Sequence, residues 1–182
     1  MTMSLEPGEA PVTLDEARGW LRLGASIDDA VVAGLIRAAA NICESFVGQW
    51  LMIRSAEDAV PIRSGEIRLA VRPVIGVDDV TLLSGAGDES VVADGDWRLR
   101  IASDGRGWVS IDEAGASVQV RVRYRAGMAA DANGIPEAIR HGILRMMQHL
   151  HDARDGGGGA GGTPPAMIAA LWQPWRRIGL AR

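Results

Sequence analysis

Apolar residues recur at three- and four-residue intervals in three segments of the chain, and each segment begins with a helix signal. The first covers about 14–22 and follows a capping-box pair, Thr13 and Glu16. The second covers 28–47 and starts with acidic residues, and the third covers 136–153 and starts with a proline. The pattern therefore predicts three main helices.

Between about 50 and 128 the spacing changes to short apolar runs separated by proline, glycine and aspartate, which is typical of antiparallel strands. In the last run Val118, Val120, Val122 and Tyr124 alternate with polar residues, so one face should be buried. The predicted strands are 51–60, 66–71, 77–83, 97–101, 107–111 and 117–125. We expect an α+β fold, a small helical bundle around one core with an inserted antiparallel β-sheet.

The segment 156–163 is almost entirely glycine, which predicts a flexible linker between a body of residues 1–155 and a C-terminal tail of residues 164–182. A short helix is expected in the tail from Pro164 until Pro174. A helix this short is marginal alone in water, so it needs a surface to lie on.

The tail combines tryptophan and arginine, the residue types that most often dominate protein interfaces. All 23 acidic residues precede residue 156, so the body is acidic and the tail is basic. We predict that the tail docks on a partner protein and that its removal leaves a folded body; folding back on its own body and disorder are the alternatives. The expected contact residues are Met167, Ile168, Leu171, Trp172, Trp175, Arg176, Arg177 and Leu180.

The polar face of the last predicted strand carries Arg121, Arg123 and Arg125. These arginines have two interpretations. They form either a solvated outer face or a subunit contact in which each meets a carboxylate of a neighbouring copy.

Few residues of the chain are of the types that form catalytic or metal-binding sites. The histidines His141, His149 and His151 lack a cysteine or histidine cluster, and Cys43 has the apolar neighbours of a buried thiol. The chain has no nucleophile-elbow, zinc-protease or phosphate-loop motif, so we expect no catalytic residue, metal or cofactor. Nor does it show a leader sequence or an uninterrupted apolar run long enough to span a membrane, so neither secretion nor a membrane partner is expected.

Several segments, in order, resemble the head-tail connector (adaptor) proteins of tailed bacteriophages and of phage-like gene transfer agents. They are VTLDEARGWLRLGASIDDAVVAGLIRAAANICESFVGQWL, IRLAVRPVIGVDDVTLL, VRVRYRAGM, IPEAIRHGILRMMQHLHDAR and the aromatic-arginine end LWQPWRRIGL. Each motif is weak alone, and their joint occurrence over about 12–182 is more specific. The chain departs from the family pattern at Val47 and Gln49 and in the length of its glycine linker.

The resemblance implies a structural protein made in the bacterial cytoplasm and incorporated at the head-tail junction of a particle. Members of the family form a dodecameric ring beneath the portal protein, extend the DNA channel without reading its sequence, and receive a stopper or tail protein. The resemblance also implies that the portal holds the C-terminal segment. Two other functions stay open: a small ligand-binding module or enzyme with a sheet-lined pocket, and a DNA-binding accessory protein, against which the acidic body argues.

Overall fold

The computed structural model describes residues 2–4, 9–22, 28–62, 65–113, 115, 117–155 and 163–177. These residues form two compact units. The β unit draws on residues 1–8 and 53–128, and the helical unit draws on residues 9–52 and 129–182. The sequence led us to expect one core, but the predicted β insertion forms a unit of its own. The tail belongs to the helical unit. Apart from Thr163, the predicted linker 156–163 lies outside the described residues.

The helical unit contains the three predicted helices and a short fourth one. They are α1 (Leu14–Leu21), α2 (Asp29–Val47), α3 (Glu137–Asp155) and α4 (Ala166–Trp172). The capping box of Thr13 and Glu16 is formed, with both reciprocal hydrogen bonds. Asp28 caps the start of α2, and Gly48 ends it with a positive φ that glycine adopts easily. Helices α1, α2 and α3 confirm the three helices that the apolar periodicity predicted.

Helix α2 packs on α3 and supplies much of the core of the helical unit. Val32, Ile36 and Ala39 are among its buried residues, as is Cys43, the single cysteine of the chain. Burial raises the pKa of the Cys43 thiol, so the thiol is inert in the folded unit. Among the described helices only α2 is long and apolar enough to cross a membrane by composition, and its buried face is that of a core helix.

The described residues of the β unit form eight strands in two antiparallel sheets. They are β1 (Thr2–Ser4), β2 (Arg54–Pro61), β3 (Glu66–Arg68), β4 (Val74–Leu83), β5 (Glu89–Val91), β6 (Trp97–Ile101), β7 (Gly107–Ile111) and β8 (Gln119–Ala126). One sheet has the order β1-β2-β8-β4-β5 and the other β3-β7-β6. The predicted α+β fold with an inserted antiparallel β region is confirmed, and its strands divide between two sheets. Strands β1 and β5 were not predicted, because three residues are too few for an alternating pattern to show.

Strand β8 is the central strand of the larger sheet and follows its predicted alternation. Val120, Val122 and Tyr124 are buried, whereas Val118 precedes the strand and is 50% exposed. The phenol of Tyr124 donates a hydrogen bond to Asp58 Oδ2 over 3.0 Å. It also accepts one from the Val71 N–H over 3.1 Å, and the same Asp58 oxygen accepts from the Ala70 N–H over 2.8 Å. This buried network joins β2, β8 and the segment after β3.

Tyr124 should stay un-ionised at a pH at which an ordinary tyrosine loses its proton. Burial is the largest cause of its raised pKa, and the Asp58 carboxylate raises it further. Because the pKa is higher in the folded state, this contribution to stability is complete below pH about 10 and is lost as the pH rises above that value. Tyr124 is the only tyrosine, so phenolate absorbance reports on it directly. Ionisation of the folded protein near pH about 10 would contradict the burial of this network.

Candidate docking surface

The described part of the C-terminal tail, residues 164–177, lies on its own helical unit, in a groove formed by α2 and α3 that we call the tail seat. Ile168 and Trp172 face into the seat, and Trp172 is 0% exposed. The indole N–H of Trp172 donates to the Ile139 carbonyl over 3.3 Å, and the indole ring lies 5.9 Å from the ring of Phe46. The largest fully buried side chain of the described residues thus comes from the tail.

The seat depends on a glycine in the middle of α3. A Cβ placed on Gly142 would lie 2.2 Å from Trp172 Nε1, which is far inside van der Waals contact. The indole therefore occupies the space that a side chain at residue 142 would fill. Glycine lowers helix stability by about 1 kcal/mol relative to alanine, and its presence here has this packing reason.

The tail residues Trp175 and Arg177 are held by the C-terminal end of α2 and the residues that follow it. The Arg177 N–H donates to the Val47 carbonyl over 2.8 Å, and this carbonyl belongs to the last turn of α2, where no intrahelical donor follows. Gln49 Nε2 donates to the Trp175 carbonyl over 2.7 Å. These bonds fix the backbone of the tail beyond α4.

We call the side of the tail that faces away from the seat the outward side, and its exposed residues include Met167, Arg176 and Arg177. Met167 is 63% exposed, and its sulfur lies 3.0 Å from an amino group of Arg145. The guanidinium of Arg176 lies 4.9 Å from the centre of the Phe46 ring, a cation-π arrangement. No acidic residue occurs in 156–182, so the outward side is cationic.

The structure divides the predicted contact residues of the tail. Ile168 and Trp172 point into the seat, Leu171 and Trp175 are half-buried, the outward side is exposed, and Leu180 lies outside the described residues. For residues 166–177 the structure shows the alternative in which the tail folds back on its own body. The predicted helix begins at Ala166 instead of Pro164, and a 3-10 turn over Gln173–Trp175 follows it. Neither Gly142 nor Gln49 was predicted from the sequence to contact the tail.

The three arginines of β8 meet carboxylates of their own chain. Arg121 makes two hydrogen bonds to Glu89, of 2.9 and 2.7 Å, and lowers the pKa of that carboxyl. Arg123 pairs with Glu57 over 2.9 Å, and Arg125 pairs with Asp78 over 3.0 Å. The outer face of the larger sheet therefore carries a row of ion pairs within one subunit, in which Arg121 is less exposed than Arg123 and Arg125.

The histidines do not gather into a metal site. His141 packs edge-on against Trp20, with ring centres 5.1 Å apart, and accepts a hydrogen bond from Arg145 Nε over 2.8 Å. Throughout the described part of the chain, no group of three or more histidine, cysteine and acidic side chains is placed to hold a metal ion.

Two surface depressions are candidates for the sheet-lined pocket that an enzyme or ligand-binding module would need. One, of about 600 Å³, lies in the helical unit beside Trp20, Gln148 and His151. The other, of about 580 Å³, follows β5 and is lined by Asp96, Asp112, Glu113 and short apolar side chains. Asp112 is already paired with Arg98 over 3.0 Å. Ser90 also lines the β5 depression, but among its described residues no histidine, cysteine or lysine accompanies this hydroxyl and the acids.

The fold of the whole chain is similar to that of chains in solved structures of gene transfer agent (GTA) particles. A chain in the neck of the empty particle, computed with C6 symmetry, is 26% identical with a TM-score of 0.76. A chain of the native virion is 26% identical with a TM-score of 0.74, and one in the native neck, computed with C12 symmetry, is 24% identical with a TM-score of 0.76. Each match covers 100% of this chain and 97% of the other.

No protein-family model and no curated protein sequence matches the chain. The structural matches nevertheless extend over its full length, and two of them retain 26% identity. In fold and sequence this chain is thus similar to a protein in the neck of gene transfer agent particles, which confirms its resemblance to head-tail connector proteins.

Proposed function

We propose that this protein is a structural adaptor of a head-to-tail connector, forming a ring under the portal protein at the head-tail junction of a phage-like particle. The observation that carries the proposal is the full-length similarity to chains in the necks of GTA particles. Those necks were computed with C6 and C12 symmetry, which supports a ring assembly of this chain as well. The role is non-catalytic and depends on burial and charge pairing between subunits.

The partners follow from this position. The ring contacts the portal protein on one side and a stopper or tail protein on the other, and DNA passes through its lumen without sequence-specific contacts. The acidic body supports this last point, since wrapping of DNA requires many cationic contacts to phosphate. We propose that the tail is the segment that binds the portal protein.

Arg121, Arg123 and Arg125 remain candidates for the contact between subunits. Arg121 is only 22% exposed and is held by two hydrogen bonds to Glu89, whereas Arg123 and Arg125 are about half exposed. Exposed pairs contribute only about 0–1 kcal/mol each. A neighbouring subunit that offers carboxylates can therefore replace the partners of Arg123 and Arg125 with little loss of stability.

Deletion of the gene in the bacterium that makes the particle tests the adaptor role. We expect heads and tails to accumulate separately, because the protein joins them, and an intact copy of the gene should restore tailed particles. Electron microscopy of the lysate counts the two kinds of particle. Normal numbers of tailed particles without the protein would contradict the proposal.

A further inference from the structure

We propose that the tail meets its partner while it stays seated, through the outward side that carries Met167 and Arg176, whereas Trp172 positions that side from within the seat. This inference rests on the proposed function, since it takes the portal protein as the partner. The contact with the portal protein is thus assigned to the outward side of the tail, and the face buried in the seat is excluded.

The inward side of the tail is held too firmly to serve as the contact. Trp172 is fully buried, its indole N–H is hydrogen-bonded to the Ile139 carbonyl, and its ring occupies space that exists because residue 142 is glycine. A partner that bound only the released tail would lose affinity in proportion to the small population of released molecules. A partner that binds the seated tail has no such loss.

The outward side is preorganised by the seat. Arg176 lies over the ring of Phe46, and the backbone on either side of it is hydrogen-bonded to Gln49 and to the Val47 carbonyl. A side chain whose position is already restricted loses less conformational entropy when it binds. The planar guanidinium of arginine is also suited to two parallel hydrogen bonds with a carboxylate.

The chemistry of the outward side identifies the kind of surface it fits. Met167 provides an exposed, flexible apolar side chain, and Arg176 provides a positive charge in a segment without acidic residues. The matching surface is an acidic patch on the portal protein with an apolar recess for the methionine. Charge complementarity of this kind sets the orientation of the partners and accelerates their association.

Binding of the full-length chain to purified portal protein tests the assignment. Met167→Asp and Arg176→Glu should each weaken binding by about tenfold or more with only a small change in thermal stability, because both residues are exposed and lose only surface contacts. Arg37→Glu is the matched control, an equal charge reversal at an exposed position of α2, and should change affinity less than about twofold. Unchanged binding by both outward variants would overturn the inference.

Two further measurements separate the seated tail from a released one. A synthetic peptide of residues 163–182 should bind the portal protein about a hundredfold more weakly than the full chain, because it is not preorganised. Gly142→Ala, which displaces Trp172, should also weaken binding. Equal binding by the peptide, or tighter binding by Gly142→Ala, would show that the released tail is the active form. Failure of the unaltered chain to bind any portal protein would overturn the proposed partner, and this inference with it.

Discussion

Replacing Trp172 with alanine is expected to destabilise the helical unit by about 3–5 kcal/mol, the usual effect of removing a buried tryptophan. The substitution empties the tail seat between α2 and α3 and leaves the Ile139 carbonyl without its indole donor. Urea unfolding followed by helical circular dichroism measures the change. Cys43 gives a second measurement, since modification of this buried thiol requires the unit to open.

A substitution on the same short helix controls for the general effect of altering the tail. Met167→Ala removes an exposed side chain and should change stability by about 0.5 kcal/mol or less. If Trp172→Ala proved as mild as Met167→Ala, the seat would not be part of the core of the helical unit.

Two glycine substitutions also test the tail seat, because they are expected to change the stability of the helical unit in opposite directions. Gly34→Ala in α2 meets nothing within 4 Å, so it should stabilise the unit by up to about 1 kcal/mol through helix propensity. Gly142→Ala gains the same propensity but places a methyl group against the indole of Trp172, and overpacking of this kind costs about 1–3 kcal/mol. Stabilisation by both substitutions would contradict the described position of the indole.

The same contacts change what is expected of a truncated protein. The sequence led us to treat the tail as separable, so that a chain ending before residue 163 would keep a folded body. Truncation at this point removes both Ile168 and Trp172 from the core, and it exposes apolar groups on α2 and α3. We therefore expect the truncated chain to be at least as unstable as Trp172→Ala.

Local patterns were sufficient for most of the secondary structure. The apolar period of α2 and the capping box of α1 depend on residues close in sequence, and both appear in the structure as predicted. Strands 97–101 and 107–111 have the predicted bounds for the same reason. The division into two sheets depends on which strands pair at long range, and alternation within a strand does not encode that choice.

The tail shows why the candidate site was harder to predict than the fold. Composition indicated correctly that a segment rich in tryptophan and arginine needs a surface, but it did not specify which surface. The choice depends on the space beside Gly142 and on a free carbonyl at the end of α2, both distant in sequence from Trp172. A lone glycine within the apolar period of α3 was the one available signal, since such a residue often marks close packing.

We propose that copies of this chain form a closed ring in the neck of a particle. Cryo-electron microscopy of purified particles, with the protein located by an attached label, tests it most directly. We predict density for this chain as a closed ring at the head-tail junction, with the twelvefold symmetry used for the related native neck. Particles in which the labelled protein is absent from the junction, or is present there as single unconnected copies, would contradict the account.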